Sequence, residues 1–492
     1  MQSPRGARVQ AERAHADSPY TPNSASRDVI GGSVKRRTRR SVCVTLCLLI
    51  VSLTACRSTW IDEELDRRHR ELYGATRSNA AGRQTDVEDA SPPPPSAEES
   101  DLASYLRYGL AMNAGLRAAF DKWRSAMEVI PQVTALPDPR FTFGQFVESI
   151  ETRTGPQENT FGLSQTFPWF GKLEARGEVQ AQEANRLWAI VTGRRLAVER
   201  EIRDAFHEYA YLAEAVRISE DNLALLKRLE PVVQRKIQGG AGQDDLLRLQ
   251  VEIGKIENDL ETLKKFRGPL SSRLRAVMNW RGSDLLPWPK RQEAIPRAVK
   301  TETLRGLLLQ ENPELAALRE EVKKQAAAIE LAELEGWPDF TLGANYIATD
   351  SARMSGVSGS GDDPLLFTLS FNIPIQRGKY DAAIREARAA RASALGALRQ
   401  KENDLFATLD LEAYKLNDAM RQIALYRDSL LPRARQALEV TEVSYRGGTA
   451  TLTDLIDSQR VLLAFEKAFE RARADYEQAV ATLEALCGGR IR

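Results

Sequence analysis

Two periodicities divide this chain. In the stretch Leu365–Ile373, the residues Leu365, Phe367, Leu369, Phe371 and Ile373 fall on one side, and Thr368, Ser370 and Asn372 on the other. Phe340, Leu342, Ala344 and Tyr346 alternate in the same way with Thr341, Gly343 and Asn345. A period of two with one apolar side predicts strands that face two different environments. Elsewhere the apolar positions step by three and four, as in Ile202, Phe206, Tyr209, Ala213 and Val216, or Phe406, Leu409, Ala413, Leu416, Met420 and Ile423. Charged and amide residues lie between them, which is the seam of a coiled coil. From Gly378 to Arg446 helical sequence continues with one interruption, Pro432, a path on the order of 100 Å at 1.5 Å per residue.

The chain also contains itself twice. Leu136-Pro137-Asp138-Pro139-Arg140-Phe141-Thr142-Phe143-Gly144 resembles Trp337-Pro338-Asp339-Phe340-Thr341-Leu342-Gly343. Phe161, Leu163, Ser164, Pro168, Gly171 and Lys172 return as Phe367, Leu369, Ser370, Pro374, Gly378 and Lys379, and Gly239, Asp245, Leu246 and Gln250 return as Gly448, Asp454, Leu455 and Gln459. Three matches in one order, at nearly one offset, indicate tandem duplication of a unit of about 200 residues. Each unit reads helix, strand, strand, long helix, turn, long helix. The first is expected over residues 101–300, with strands near 140–150 and 159–167 and a hairpin tip near 238–243. The second is expected over 301–488, with strands near 339–349 and 364–373 and a tip near 446–451; residues 489–492 form a tail. Glu151–Glu158 and Asp350–Asp363 read as polar loops between paired strands, and Asp245 as a cap at the first tip.

Two such hairpins cannot bury their apolar side alone, and their edges stay unpaired. In a bilayer every backbone polar group needs a partner, so strands span only as a closed barrel. Strands of about nine to eleven residues, apolar outward and polar inward, suit that geometry. The inward positions would be Thr341, Asn345, Thr368, Ser370 and Asn372. Four strands per chain must then be pooled, and three copies would give a twelve-strand barrel. Pro168 with Gly171, and Pro374 with Gly378, mark joints where a ladder stops and a helix starts. Proline fixes φ and removes a donor, which fits both the end of a ladder and a helical first turn. The expected fold is mainly α with a small β part: long antiparallel coiled-coil helices continuing as a tube from four strands of a shared membrane barrel.

Composition narrows the functions. Lys+Arg 69 against Asp+Glu 68 gives no basic excess for nucleic acid. A mean hydropathy of -0.39 excludes a polytopic helical membrane protein. Lys35–Arg40 is a basic n-region and SVCVTLCLLIVSL an apolar segment short for a span. Leu53-Thr54-Ala55-Cys56 follows and resembles the lipobox of bacterial lipoproteins. That resemblance implies lipidation of Cys56, with residues 1–55 an extension plus signal peptide; a plain signal peptide or a retained anchor are the alternatives. Arg57, rather than an aspartate, favours outer-membrane sorting within that resemblance. Residues 56–100, with Ser91–Ser96 rich in proline, read as a disordered linker. After cleavage Cys487 is left without an intrachain partner. His69 and His207 form no zinc cluster and read as surface or helix-face residues. No cofactor or metal site is expected, and no phosphate loop or nucleophile motif suggests an enzyme.

Taken together, the repeat, the strand pairs, the proline–glycine joints and the turns make the chain resemble the TolC-like outer-membrane factor family over about Asp101 to Cys487. The resemblance implies a homotrimeric barrel over a periplasmic helical tunnel. It also implies an exit duct of a tripartite efflux or export system, docked on a periplasmic adaptor and an inner-membrane transporter. Ser164–Leu173, SQTFPWFGKL, resembles the branch that partners resistance–nodulation–division pumps. The segment Tyr445–Asp457 resembles the family's second hairpin tip, which implies that Tyr445, Asp454 and Asp457 belong to the periplasmic aperture. Asp454 also suits a helix N-terminus. Ala450 stands where the family's best-known aperture has an arginine. Gly239 and Gly240, and Gly447 and Gly448, would be small docking tips for the adaptor, with glycine supplying φ > 0 at the reversal. A type I secretion duct, a coiled-coil structural lipoprotein without a pore, and a periplasmic adaptor remain alternatives, although the last two leave the duplicated strands unexplained.

Overall fold

The computed structural model describes residues 59–73, 92–96, 98, 100–238, 242–290 and 300–491. Cys56, Gly239 and Gly240 lie outside the described residues. Helix α1 spans Thr59–Tyr73, α2 Leu102–Met112 and α3 Ala114–Thr134. The paired strands β1 (Arg140–Thr152) and β2 (Gly155–Phe167) follow. Next come α4 (Lys172–Gln238) and α5 (Gln243–Val277). The second unit repeats this order as α6 (Thr301–Glu311), α7 (Pro313–Glu335), β3 (Phe340–Thr349), β4 (Leu365–Phe371), α8 (Arg377–Leu425), α9 (Leu431–Gly447) and α10 (Leu452–Leu486). Among the described residues no helix is long and apolar enough to cross a membrane.

Each unit has its own core of the same design. Tyr105, Ile202, Phe206, Tyr209, Leu270, Leu274 and Met278 pack together in the first. Leu308, Leu405, Leu409, Leu416, Tyr476, Leu483 and Cys487 do so in the second. A repeated asparagine organises both. Asn113 caps α3 by accepting from the Leu116 N–H, and its amide donates to the Val277 carbonyl at 2.7 Å. Asn312 caps α7 by accepting from the Glu314 and Leu315 N–H groups, and its amide donates to the Leu486 carbonyl at 2.8 Å. Each asparagine therefore ties the kink between two short helices to the end of a long one.

Three expectations are corrected. Residues 59–73 are helix, not linker: Ile61, Leu65 and Leu72 are buried, and the Arg68 guanidinium lies over Trp188, 4.5 Å from the ring centre. Their near-heptad spacing is hidden in a charged segment where Glu64 pairs with both Arg67 and Arg68. Glu151–Glu158 is not a loop: β1 and β2 run past it to a two-residue turn at Arg153-Thr154. Gly155 permits this with φ +135, where a Cβ would lie 1.7 Å from the Asp350 carbonyl oxygen. At Pro432 the helix widens rather than stops. A π segment, Tyr426–Leu430, passes the Leu431 N–H to the Tyr426 carbonyl just before the proline, so the ladder absorbs the missing donor.

Candidate functional site

The functional surface is built from a sheet, two joints and the hairpin tips. The sheet has strand order β1-β2-β3-β4, all neighbours antiparallel. Its register lines up one apolar face: Phe143 opposes Phe161, which opposes Tyr346, which opposes Leu365. Leu163, Ala344 and Phe367 form the adjoining row, and Phe167, Phe340 and Phe371 another. Aromatic rings meet along this face, with centroids 5.3 Å apart for Phe143–Phe161 and 5.5 Å for Phe167–Phe340. Phe141, Leu163, Phe367, Leu369 and Phe371 are all exposed. The opposite face carries Thr142, Thr160, Ser164, Thr166, Thr341, Asn345, Thr368 and Ser370, interrupted by Ile347 and Leu366. Thr166 and Thr341 hydroxyls are 2.9 Å apart across it. A contiguous apolar face of this size marks a lipid or protein contact. Asn372 lies one residue beyond β4, and its side chain accepts from the Asp339 N–H at 2.5 Å.

At the first joint, Pro168 ends the ladder and Gly171, at φ +87, turns the chain into α4. Lys172 is only 1% exposed. Its ammonium donates to Asp339 Oδ1 at 2.8 Å and to the Trp337 carbonyl at 2.7 Å. The Trp169 N–H donates to the same Asp339 oxygen at 2.9 Å. Trp169 and Trp337 stack at 5.1 Å with an interplanar angle of 14°. Burial pushes the Asp339 carboxyl up, but the Lys172 and Trp169 hydrogen bonds and the Lys172 charge outweigh it and hold the group below its usual range. This lock joins the end of the first unit's strands to the start of the second's. Lys172 and Asp339 were visible in the sequence only as members of a repeat; the repeat of both Pro-Asp and Gly-Lys was the signal for them. The second joint is different. Pro374 is followed by non-helical residues to Gln376, and Gly378 sits in the first turn of α8 without positive φ.

At the tips, the two hairpins share a core of Leu226, Leu229, Val233, Leu249, Ile253, Leu438, Leu452, Leu455 and Ile456. Tyr445 is buried among them, and the Lys236 ammonium lies 3.7 Å from its ring centre while donating to the Tyr445 carbonyl. Burial, with the Asp245 charge beside it, raises the Tyr445 phenol above its usual range. Gly448 closes α9 at φ +83, its N–H donating to the Tyr445 carbonyl at 3.2 Å, and Gly447 is the last helical residue. Thr451 then caps α10. Asp454 N–H donates to Thr451 Oγ1 at 3.2 Å, and the Thr451 N–H donates to Asp454 Oδ2 at 2.9 Å. These bonds hold the Asp454 carboxyl below its usual range. Asp457 is exposed and paired with Arg460 at 3.2 Å, and Arg460 also grips Glu252 of α5. Ala450 packs against the shared tip core. At the first tip, Gly242 is the N-cap of α5 without a side-chain bond; Asp245 lies in the first turn and is not the cap.

A partial sheet, apolar outside and polar inside, carried on long helical hairpins whose turns meet at the far end, defines an outer-membrane channel subunit. Residues 304–489 match the family model described as outer membrane efflux protein. The chain is 20% identical over 408 residues to nodulation protein T of Rhizobium leguminosarum bv. trifolii, covering 79% of this chain and 85% of that protein. It is 21% identical over 393 residues to the cobalt-zinc-cadmium resistance protein CzcC of Cupriavidus metallidurans, covering 79% and 90%. The fold matches the solved structure of CusC with a TM-score of 0.65 at 16% identity, covering 79% of this chain and 92% of that one. Through residues 304–489 the chain matches the outer membrane efflux proteins, and together with these relatives this indicates an outer-membrane efflux channel of a tripartite system. Members of this family work with adaptors and inner-membrane pumps.

Proposed function

We propose that three copies of this chain pool their four-stranded sheets into one twelve-strand barrel, and that this homotrimer is the passive exit duct above an adaptor and a resistance–nodulation–division pump. The observation that carries the reading is the sheet: its apolar face is exposed along its whole width, and both outer edges, β1 and β4, have no strand partner among the described residues. Purified protein in planar bilayers is expected to give discrete channel currents. Monomeric, non-conducting protein would overturn the reading. Ser164–Leu173 supports the pump type, and co-purification with an adaptor of that class would test it. The relatives carry names as different as metal resistance, nodulation and pyoverdine export; this favours cargo choice in the inner-membrane partner.

The tips are proposed to serve as both docking surface and aperture. Three copies of Asp457 around one axis make an acidic ring that attracts cations and opposes closure unless paired; Arg460 is the nearby partner. Tyr445 holds the two hairpins of one chain together beneath that ring, and Asp454 sets the first turn of α10. Gly447 and Gly448 leave the backbone accessible to the adaptor, and Gly239 and Gly240 are assigned the matching role at the first tip from the sequence repeat. A Cβ at Gly447 would have no neighbour within 4 Å, and its φ is not positive. Gly447→Phe therefore tests docking without backbone strain: efflux complementation is expected to fall at least tenfold with trimers intact, and unchanged resistance would remove the docking role. Lipidation of Cys56 would add a second tether to the barrel; globomycin-sensitive processing or a mass shift of the mature N-terminus tests it.

A further inference from the structure

The β2–β3 seam shows how one repeat unit is joined to the next. Where β2 leaves the sheet, Lys172 reaches sideways to Asp339, which stands just before β3. The apolar part of the seam is the Trp169–Trp337 stack. Both halves of this device are repeated in the sequence. The counterpart of Lys172 is Lys379, after β4, and the counterpart of Asp339 is Asp138, before β1. Trp169 corresponds to Ile375, and Trp337 to Leu136.

Within one chain these counterparts cannot meet, because β1 and β4 are opposite edges of the same sheet. Asp138 and Lys379 are both exposed, in contrast to buried Lys172. Among the described residues the Asp138 side chain has no hydrogen bond or ion pair, and the Lys379 side chain has only the ring of its neighbour Tyr380 at 5.6 Å. Ile375 is 79% exposed and Leu136 49%. One edge of the sheet thus offers a cation beside an aliphatic side chain, and the other offers an anion beside an aliphatic side chain. The occupant that satisfies both edges at once is a second copy of this chain.

We propose that Lys379 of one copy and Asp138 of the next form the inter-subunit counterpart of the Lys172–Asp339 lock, with Ile375 and Leu136 replacing the tryptophan stack. Repeating the β2–β3 register across the edge sets β4 Phe371 opposite Phe143 of the next copy, as Gln165 opposes Leu342 within the chain. Two residues, Pro139 and Arg140, are added between Asp138 and Phe141 relative to Asp339-Phe340, and one is added between Pro374 and Lys379 relative to the first joint. These additions lie on facing sides of the seam, so its two halves lengthen together. The polar lock then recurs around the rim where barrel strands pass into helices, buried within chains and shared between them.

The inference rests on the shared-barrel reading, and the test separates the two. Full-length protein is made as Asp138→Lys, Lys379→Asp and the double exchange, and heat dissociation of the oligomer is followed by electrophoresis without boiling. Each single reversal is expected to lower the dissociation temperature by roughly 5 °C, and the exchange to restore most of the loss. Singles that dissociate like the parent protein, or an exchange without recovery, would overturn the lock. In parallel, two cysteine pairs are oxidised with copper–phenanthroline: Asp138→Cys with Lys379→Cys, and Phe143→Cys with Phe371→Cys. Both are expected to give covalent oligomers. If only the strand pair crosslinks, the lock is wrong and the barrel stands. If neither does, the shared barrel itself fails. Crosslinking through Arg377→Cys in place of Lys379→Cys would also reject Lys379 as the cation.

Discussion

The two strand-to-helix joints descend from one sequence pattern and have opposite surroundings. At the first, Lys172 is buried against Asp339 and the Trp337 carbonyl, and Gly171 takes a left-handed turn. At the second, Lys379 is exposed, Gly378 is ordinary helix, and the ladder ends earlier, at Phe371. The difference teaches that a repeated motif acquires its chemistry from the neighbour the topology supplies. The first joint finds its neighbour inside the chain; the second stands at an edge.

That contrast can be broken most forcefully at Lys172. Lys172→Leu leaves the Asp339 carboxylate half-buried without its cation, and a loss of about 3 kcal/mol is expected in thermal unfolding in detergent. Lys379→Leu is expected to leave chain unfolding within about 0.5 kcal/mol. Adding Asp339→Leu to Lys172→Leu should recover much of the loss, since no unpaired charge is then buried. Equal effects at the two lysines would erase the distinction.

A second buried base sharpens it. His207 of α4 is nearly inaccessible and has Glu477 no nearer than 4.0 Å. Burial, with the Arg203 charge adding to it, pushes His207 down to about 4. The folded state thus binds its proton less readily than the unfolded state. The resulting stability is present above pH 6.5 and is lost as pH falls toward 4, on the order of 3 kcal/mol in all. Burial raises Asp204 to about 6 and raises Glu477, and both act in the opposite sense. The measurement is therefore the stability difference between the parent and His207→Phe, which should grow in favour of the parent from pH 4 to 6.5 and then level off. A flat difference would mean that burial does not change the histidine's proton affinity.

The glycines give a smaller contrast. Gly171→Ala must place a Cβ at φ +87 and is expected to cost about 1–2 kcal/mol. Gly378→Ala replaces a helical glycine whose Cβ would meet nothing within 4 Å, and should be neutral or stabilise by up to about 1 kcal/mol. The smallest effect is expected at the tips. Thr451→Ala removes the capping box of α10 and should cost about 1 kcal/mol. Gly242→Ala loses no side-chain bond but puts a Cβ against the Asp244 carboxylate at a position where alanine caps worse than glycine, and should cost about 0.5 kcal/mol. Hydrogen exchange of the first turns of α5 and α10 would read both.

Periodicity over a few residues fixed the faces of β3 and β4, the coiled-coil stripes and the glycine-terminated second tip, because each of these depends on neighbours along the chain. Duplication made the joints visible as well, and with them the class of protein. The fold alone decided which aspartate meets Lys172, that Asn113 and Asn312 tie helix ends together, that α1 docks through Ile61, Leu65 and Leu72, and that the Asn372 side chain bonds the Asp339 N–H. Those outcomes require partners far away in sequence, and no local pattern encodes the strand order that brings β2 beside β3 while leaving β1 and β4 at the edges.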